Sequence, residues 1–168
     1  MLDALWKKPD GTPHAGKVAA WATVAAILVP FVAGFEGYVA KPYVDRIGTG
    51  HPVTCGYGMT GAECKNPPKT EAEAKAALEK LLKNKYDPAI LKCIHVYLPP
   101  YRRAMLDDAA YNLGPAAICK SSIARNINAG NNAAGCAALL GYTHSAGQVR
   151  KGLVRRRQAE YKLCLRND

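Results

Sequence analysis

The stretch Gly34-Phe-Glu-Gly-Tyr-Val-Ala-Lys-Pro-Tyr-Val-Asp45, continued by Val53-Thr-Cys-Gly-Tyr-Gly-Met-Thr-Gly61, decides the fold of this chain. Glu36 closes a long apolar run and stands between Phe35 and Gly37. Apolar surroundings favour the protonated form of a carboxyl, which a general acid needs near neutral pH. Asp45 lies in a polar, turn-rich stretch where a carboxylate stays ionised. Two carboxyls in contrasting environments are the arrangement that splits a glycosidic bond, although from their spacing alone two unrelated surface acids is much the better reading. Gly and Pro are dense from Gly34 to Pro68, with Tyr, Val, Thr and Ile between them, so this region reads as turns with a short β-hairpin or meander.

On the C-terminal side the pattern turns helical. Thr70-Glu-Ala-Glu73 has the form of a capping box, and Ala77, Leu78, Leu81 and Leu82 follow at helical spacing. That helix is expected to stop near Asp87-Pro88. A second helix starts at Pro99 or Pro100 and ends at Gly114, with an apolar stripe of Tyr101, Met105, Ala109 and Leu113. Shorter helices are expected around Ser122 to Asn128 and Asn132 to Leu140, and a last one from about Leu153 to Leu165. A small β region followed by many helices is an α+β arrangement with two lobes, a small β-hairpin lobe and a larger helical lobe. A polymer substrate fits the cleft between them.

On the N-terminal side, no charged residue interrupts the 18 residues from Val18 to Phe35. That length is near the lower limit for crossing a bilayer as a helix. Eight of these residues are strongly apolar, which sums to roughly −2 to −5 kcal/mol of insertion energy, before Thr23, Pro30 and Gly34 subtract from it. The segment reads as a marginal anchor. Lys7, Lys8 and Lys17 precede it, so the positive-inside rule sends everything after Phe35 outward. The division expected is 1–34, a basic stretch with an N-terminal apolar anchor helix, and 35–168, a catalytic domain. Two other readings compete: a signal peptide cut at Val32-x-Gly34, and a buried core helix of a cytosolic protein.

Six cysteines, Cys55, Cys64, Cys93, Cys119, Cys136 and Cys164, all follow the apolar run, with no C-x-x-C pair and no His cluster beside them. No metal site is expected. Three disulfides are, which requires an oxidising compartment, whereas six buried cytosolic thiols is the plainer alternative. The pairing expected is Cys55 with Cys64 across the hairpin region, and Cys93 with Cys119 and Cys136 with Cys164 between helices. The net charge of +10 points to a polyanionic partner: a wall polymer, anionic lipid or nucleic acid.

The quoted stretch resembles the phage-type lysozymes, glycoside hydrolase family 24, whose motif is Glu, eight residues, Asp, then a Thr opening a T-x-G-Y-G-x-T-like strand. Eight residues separate Glu36 from Asp45, and Thr54-Cys-Gly-Tyr-Gly-Met-Thr60 matches the strand. The resemblance continues through Ala110-Tyr-Asn-Leu-Gly114, Ile123-Ala-Arg-Asn-Ile-Asn-Ala-Gly130 and Gly152-Leu-Val-Arg-Arg-Arg-Gln-Ala-Glu160, and so covers nearly all of residues 34 to 168. The Ala-rich anchor is similar to the signal-arrest-release segment of one endolysin subgroup. The resemblance implies a peptidoglycan muramidase, inverting, with no cofactor. Glu36 would be the acid, Asp45 the base, and Thr54 would help to hold the water. It further implies a monomer that does not bind nucleic acid, tethered transiently to the inner membrane through residues 18–35 and then soluble in the periplasm.

One departure stands out. Eight residues separate Asp45 from Thr54 where the family has five; strict counting lands on His51, and an insertion such as Gly48-Thr-Gly50 accounts for the difference. The flanking hairpin sequence selects Thr54, with Thr49 and His51 as minor candidates. Tyr57 and Asn112 are expected in the cleft, unless Tyr57 is core packing and Asn112 only a helix end. In the family a basic residue of the last helix approaches the catalytic Glu, which implies Arg156 or Arg157; Arg155 fits a solvated basic face as well. The rival functions are a lytic transglycosylase, which needs only the Glu, and a cationic module that disrupts membranes or binds nucleic acid.

Overall fold

The computed structural model describes residues 17–44 and 52–168, with side chains from 21 onward. Asp45, Thr49, His51 and the insertion at 48–50 therefore lie outside the described residues. The first element, α1, spans Lys17–Glu36. It buries one side, Trp21, Val24, Ala25, Leu28 and Val32, in the main core, while Ala22, Ala26 and Pro30 remain exposed. Among the described residues no helix is long and apolar enough to cross a membrane.

Gly37 ends α1. Its φ of +71° gives the left-handed turn that a helix C-terminus needs, and its N–H donates to the Ala33 carbonyl at 3.1 Å. The chain then runs directly into β1 (Val39–Val44), which pairs antiparallel with β2 (Val53–Gly56), and β2 in turn pairs with β3 (Met59–Thr60). A short 3-10 turn, Gly61–Cys64, closes this small lobe. Cys55 is bonded to Cys64 there, which ties β2 to the turn.

The helical lobe begins with α2 (Glu71–Leu81). Thr70 caps it by accepting from the Glu73 N–H at 3.1 Å. The reciprocal bond from Glu73 falls one residue early, on the Lys69 N–H at 2.8 Å. The expected stop at Asp87-Pro88 does not occur. A π turn at Leu82–Tyr86 leads into α3 (Asp87–Leu91), with Pro88 in its first turn. The wider turn accommodates the proline ring, and the Pro88 N would have lacked a partner at a helix start in any case.

Next come α4 (Pro100–Leu113), α5 (Pro115–Cys119), α6 (Ser122–Asn128), α7 (Asn132–Ala138) and α8 (Lys151–Cys164). Before α8 lies a two-stranded hairpin, β4 (His144–Ser145) with β5 (Gln148–Val149). Neither α5 nor this hairpin is anticipated from the sequence, because each is too short to show a period. Cys93 is bonded to Cys119 and Cys136 to Cys164, as expected; together with Cys55–Cys64 they account for all six cysteines. The core is continuous from α1 through α4 to α8, with Leu28, Leu78, Leu82, Ile94, Met105, Leu106 and Ile127 fully buried. α4 is its axis. Arg102, Asp107 and Asp108 are buried among its apolar residues.

Candidate active site

Glu36 is the last residue of α1 and is fixed from three directions. The β2–β3 hairpin turns at Tyr57 and Gly58, and a Cβ on Gly58 would lie only 2.7 Å from Glu36 Oε2. Only glycine lets the hairpin approach the carboxyl so closely, and its φ of +71° is one that L side chains rarely adopt. Tyr111 of α4 donates its hydroxyl to the Tyr57 carbonyl at 2.6 Å, which clamps that hairpin to the helical lobe. From α8, Arg156 Nη1 donates to Glu36 Oε1 at 2.5 Å. The Glu36 side chain keeps 21% of its surface open to solvent, while that of Arg156 keeps 4%.

The sequence suggests apolar surroundings for Glu36; the structure adds a guanidinium and the neighbouring Phe35 ring, which lies 5.5 Å from the Arg156 carbon. Arg156 is itself aimed by Asp108, which accepts from Nε at 2.9 Å and from Nη2 at 2.7 Å. This fork fixes the plane of the guanidinium and leaves Nη1 for Glu36. Helical spacing makes the arrangement possible. Asp108, Tyr111 and Asn112 share one face of α4, and Arg156 and Glu160 share one face of α8.

Arg157 is fully buried. It does not reach Glu36; its Nη2 donates to Asn112 Oδ1 at 3.0 Å and lies 2.6 Å from Glu160 Oε1 without the alignment of a hydrogen bond. Two guanidiniums thus meet three carboxyls, Asp108, Glu36 and Glu160. Of these Glu160 is the one that burial first, and then the hydrogen bond and charge of Asp108, hold well above the usual carboxylate range. For Arg156 burial opposes the charge, but Asp108 and then Glu36 outweigh it and raise its pKa. Burial, followed by the charge of Glu36, also raises the Tyr111 hydroxyl, which remains a donor. A second buried acid, Asp107, is pushed up by burial and then by the neighbouring Asp87, itself paired with Arg103 at 2.6 Å.

Thr54 sits on β2 opposite Thr60 and Tyr43 and is 6% exposed. Of the proposed catalytic group, Glu36 and Thr54 are thus placed, and Asp45 lies outside the described residues. Tyr57 does not offer its side chain to a ligand. It is 3% exposed, its ring packs against Tyr38 at 5.7 Å, and its hydroxyl donates to Glu71 at 2.7 Å. Asn112 is half-buried and bound to Arg157. Of Arg156 and Arg157, Arg156 is the one that meets Glu36, and Arg155 is exposed. Asp108 and Glu160 escape the sequence reading. Their signal was present, since two consecutive aspartates interrupt the apolar stripe of α4 and an acid follows Arg156 by four residues.

Comparison with known proteins identifies the family and the fold. A family model described as phage lysozyme matches residues 33–160. A SAR-endolysin from Bacteriophage PS119 is 37% identical over 134 residues, 79% of this chain and 77% of that protein. Among solved structures, the muramidase domain of SpmX from Asticcacaulis excentricus superposes with a TM-score of 0.73 at 26% identity, covering 83% of this chain and 95% of that one. A point mutant of the lysozyme of phage P22 gives 0.72 at 25% identity, covering 84% and 97%. The lysozyme-like fold, the acid at the end of α1 and the family match together place the chain in the phage lysozyme family, as a glycoside hydrolase of the lysozyme type.

Proposed function

We propose that this protein is an endolysin that hydrolyses the β-1,4 bond between N-acetylmuramic acid and N-acetylglucosamine in peptidoglycan, with inversion, and that leaving the inner membrane switches it on. The observation that carries the reading is the position of Glu36, at the last turn of the apolar helix and against Arg156. Glu36 gives its proton to the glycosidic oxygen as the bond to the anomeric carbon breaks. Asp45 takes a proton from a water on the opposite sugar face, and the Thr54 hydroxyl helps to hold that water. The new C–O bond then forms with inversion.

The membrane step rests on the same helix. No described helix is long and apolar enough for a permanent span, and residues 18–35, inserted as a marginal anchor, gain only a few kcal/mol. Docked on the domain, Val24, Leu28 and Val32 alone gain about 5–9 kcal/mol of apolar burial, before ordering costs. Docking and insertion use the same residues and exclude each other. Export to the periplasm on this segment agrees with the three disulfides and with the name of the PS119 relative. A lytic transglycosylase would leave anhydromuramic ends. Mass spectrometry of released wall fragments, with NMR of the first anomer formed, tests the reading. Reducing muramic ends that appear first as the α-anomer are expected; anhydro ends, or the β-anomer, would overturn it.

A further inference from the structure

The two carboxyl oxygens of Glu36 have different neighbours. Oε1 accepts from Arg156 Nη1 at 2.5 Å. Oε2 faces the Gly58 backbone, where a Cβ would lie 2.7 Å from it and 3.2 Å from the Cδ carbon. An oxygen already taken by a cationic donor is the poorer place for a proton, so the proton that Glu36 gives away sits on Oε2. The last torsion of a glutamate is broad and roughly two-fold, so the rotamer of the side chain does not by itself fix where Oε2 points. The Gly58 turn does, by occupying one side of it. The position of that turn therefore decides where the reacting oxygen stands.

Two helices hold the turn. The Tyr57 hydroxyl donates to Glu71 of α2 at 2.7 Å, which ties down the side chain. The Tyr57 carbonyl accepts from the Tyr111 hydroxyl of α4 at 2.6 Å, which ties down the backbone. That carbonyl and the N–H of Gly58 belong to one planar peptide unit, so a bond to the first also sets the second and the Gly58 Cα. Tyr111 is itself aimed: its ring meets that of Tyr86, the last residue of the π turn, edge to face at 5.1 Å and 70°. Burial, and then the negative charge of Glu36, keep its hydroxyl protonated, so it remains a donor throughout the neutral range. Resting on the reading of Glu36 as the general acid, we propose that Tyr111 is a positioning residue for glycosidic cleavage: its hydroxyl holds the Tyr57–Gly58 peptide so that Glu36 Oε2 meets the glycosidic oxygen. It acts through the turn, so its effect falls on the step in which Glu36 gives up its proton and not on the binding of the glycan.

The test is Tyr111→Phe, which removes the hydroxyl and keeps the ring against Tyr86. Tyr142→Phe is the matched control. It removes another tyrosine hydroxyl that donates to a backbone carbonyl, that of Ala117 in α5 at 3.3 Å. Each variant gives up one neutral hydrogen bond, so both should show similar, small losses of Tm. With soluble wall glycan as substrate, well below either melt, Tyr111→Phe should lower kcat about tenfold or more and leave KM within about twofold. The factor should be the same at pH 6 as at pH 8, and Tyr142→Phe should keep native kcat. In NMR of the full-length protein without substrate, Tyr111→Phe should shift the Gly58 amide and the Glu36 carboxyl carbon, the latter identified by its loss in Glu36→Gln. Tyr142→Phe should move neither. Native kcat in Tyr111→Phe, a loss carried by KM, an equal loss of kcat in Tyr142→Phe, or unmoved Gly58 and Glu36 signals would overturn the proposal. The NMR readout needs no turnover, so a failure here stays separate from a failure of the wall-fragment experiment.

Discussion

Arg156 Nη1 lies 2.5 Å from Glu36 Oε1 across 120 residues of sequence, and this ion pair joins the first described helix to the last. Its consequence is that Glu36, the proposed acid, is held only when α1 is docked. Removing α1 from the domain would take Glu36 away from Arg156, from the Gly58 turn and from the Tyr111 clamp at once.

Glu36→Gln should lower wall hydrolysis at least about a hundredfold, because an amide has no proton of suitable acidity to give. Folding should survive, since the amide can still accept from Arg156. Asp45→Asn should cost nearly as much and Thr54→Ala less. Turbidity clearing of wall suspensions measures all three, and near-native clearing by Glu36→Gln would remove this residue from the mechanism.

Arg156→Lys keeps a positive charge but cannot fork onto Asp108 while also reaching Glu36. The expected result is a folded protein with a strongly reduced kcat. Arg156→Ala leaves Asp108 as a buried carboxylate with no guanidinium, a change costing about 3–5 kcal/mol. At roughly 2–4 °C per kcal/mol for a protein of this size, Tm should fall by about 6–20 °C in a calorimetric melt. Native activity in the lysine variant would show that charge alone is enough.

A pH dependence follows from Glu160, whose pKa is raised by burial and then by Asp108. The unfolded carboxyl ionises above about pH 4.3, while the folded one keeps its proton to higher pH. The folded state therefore binds the extra proton, and the stability it confers is complete below about pH 4.3. It is lost as pH rises toward the folded pKa, by up to about 1.4 kcal/mol per pH unit. Glu160→Gln has the same shape, can still donate to Asp108, and has no proton to lose. Urea unfolding at pH 5 and pH 8 should show the variant gaining on the native protein as pH rises; a gap that does not change with pH would mean that Glu160 is ionised in the fold.

What the sequence disclosed and what it withheld follow from the range of the forces involved. The capping box at Thr70, Pro100 at a helix start and Gly114 past its end act within one turn, and each stands where local chemistry puts it. All three disulfide pairs were also legible. Pro88 misled, because a π turn upstream, invisible to a 3.6-residue period, lets the helix continue. Tyr57 misled for a different reason: its hydroxyl finds Glu71, 14 residues on, and the ring turns inward. The motif points to Glu36 as the proposed acid, but the Asp108–Arg156–Glu160 cluster depends on which faces of α4 and α8 meet, and that is set by packing across 48 residues.

The membrane hypothesis can be tested without disturbing the folded enzyme, because the structure separates the two faces of α1. Ala22 and Ala26 are exposed on the docked helix, whereas Ala25 is buried against the core. Leucine at 22 and 26 should therefore leave docking intact and favour the bilayer by about 1 kcal/mol, or roughly fivefold in the membrane-held share. Leucine at 25 also favours the bilayer, but crowds the core at a cost of about 1–3 kcal/mol to the docked form. The double variant Ala22→Leu/Ala26→Leu should shift protein into the membrane fraction and delay lysis, yet show native activity once extracted and refolded. Ala25→Leu should show the same delay together with a lowered Tm. Fractionation, lysis timing and a melt on the extracted protein separate these outcomes. Unchanged partitioning in the double variant, or full wall hydrolysis by protein still held in the membrane, would mean that release of α1 is not the switch.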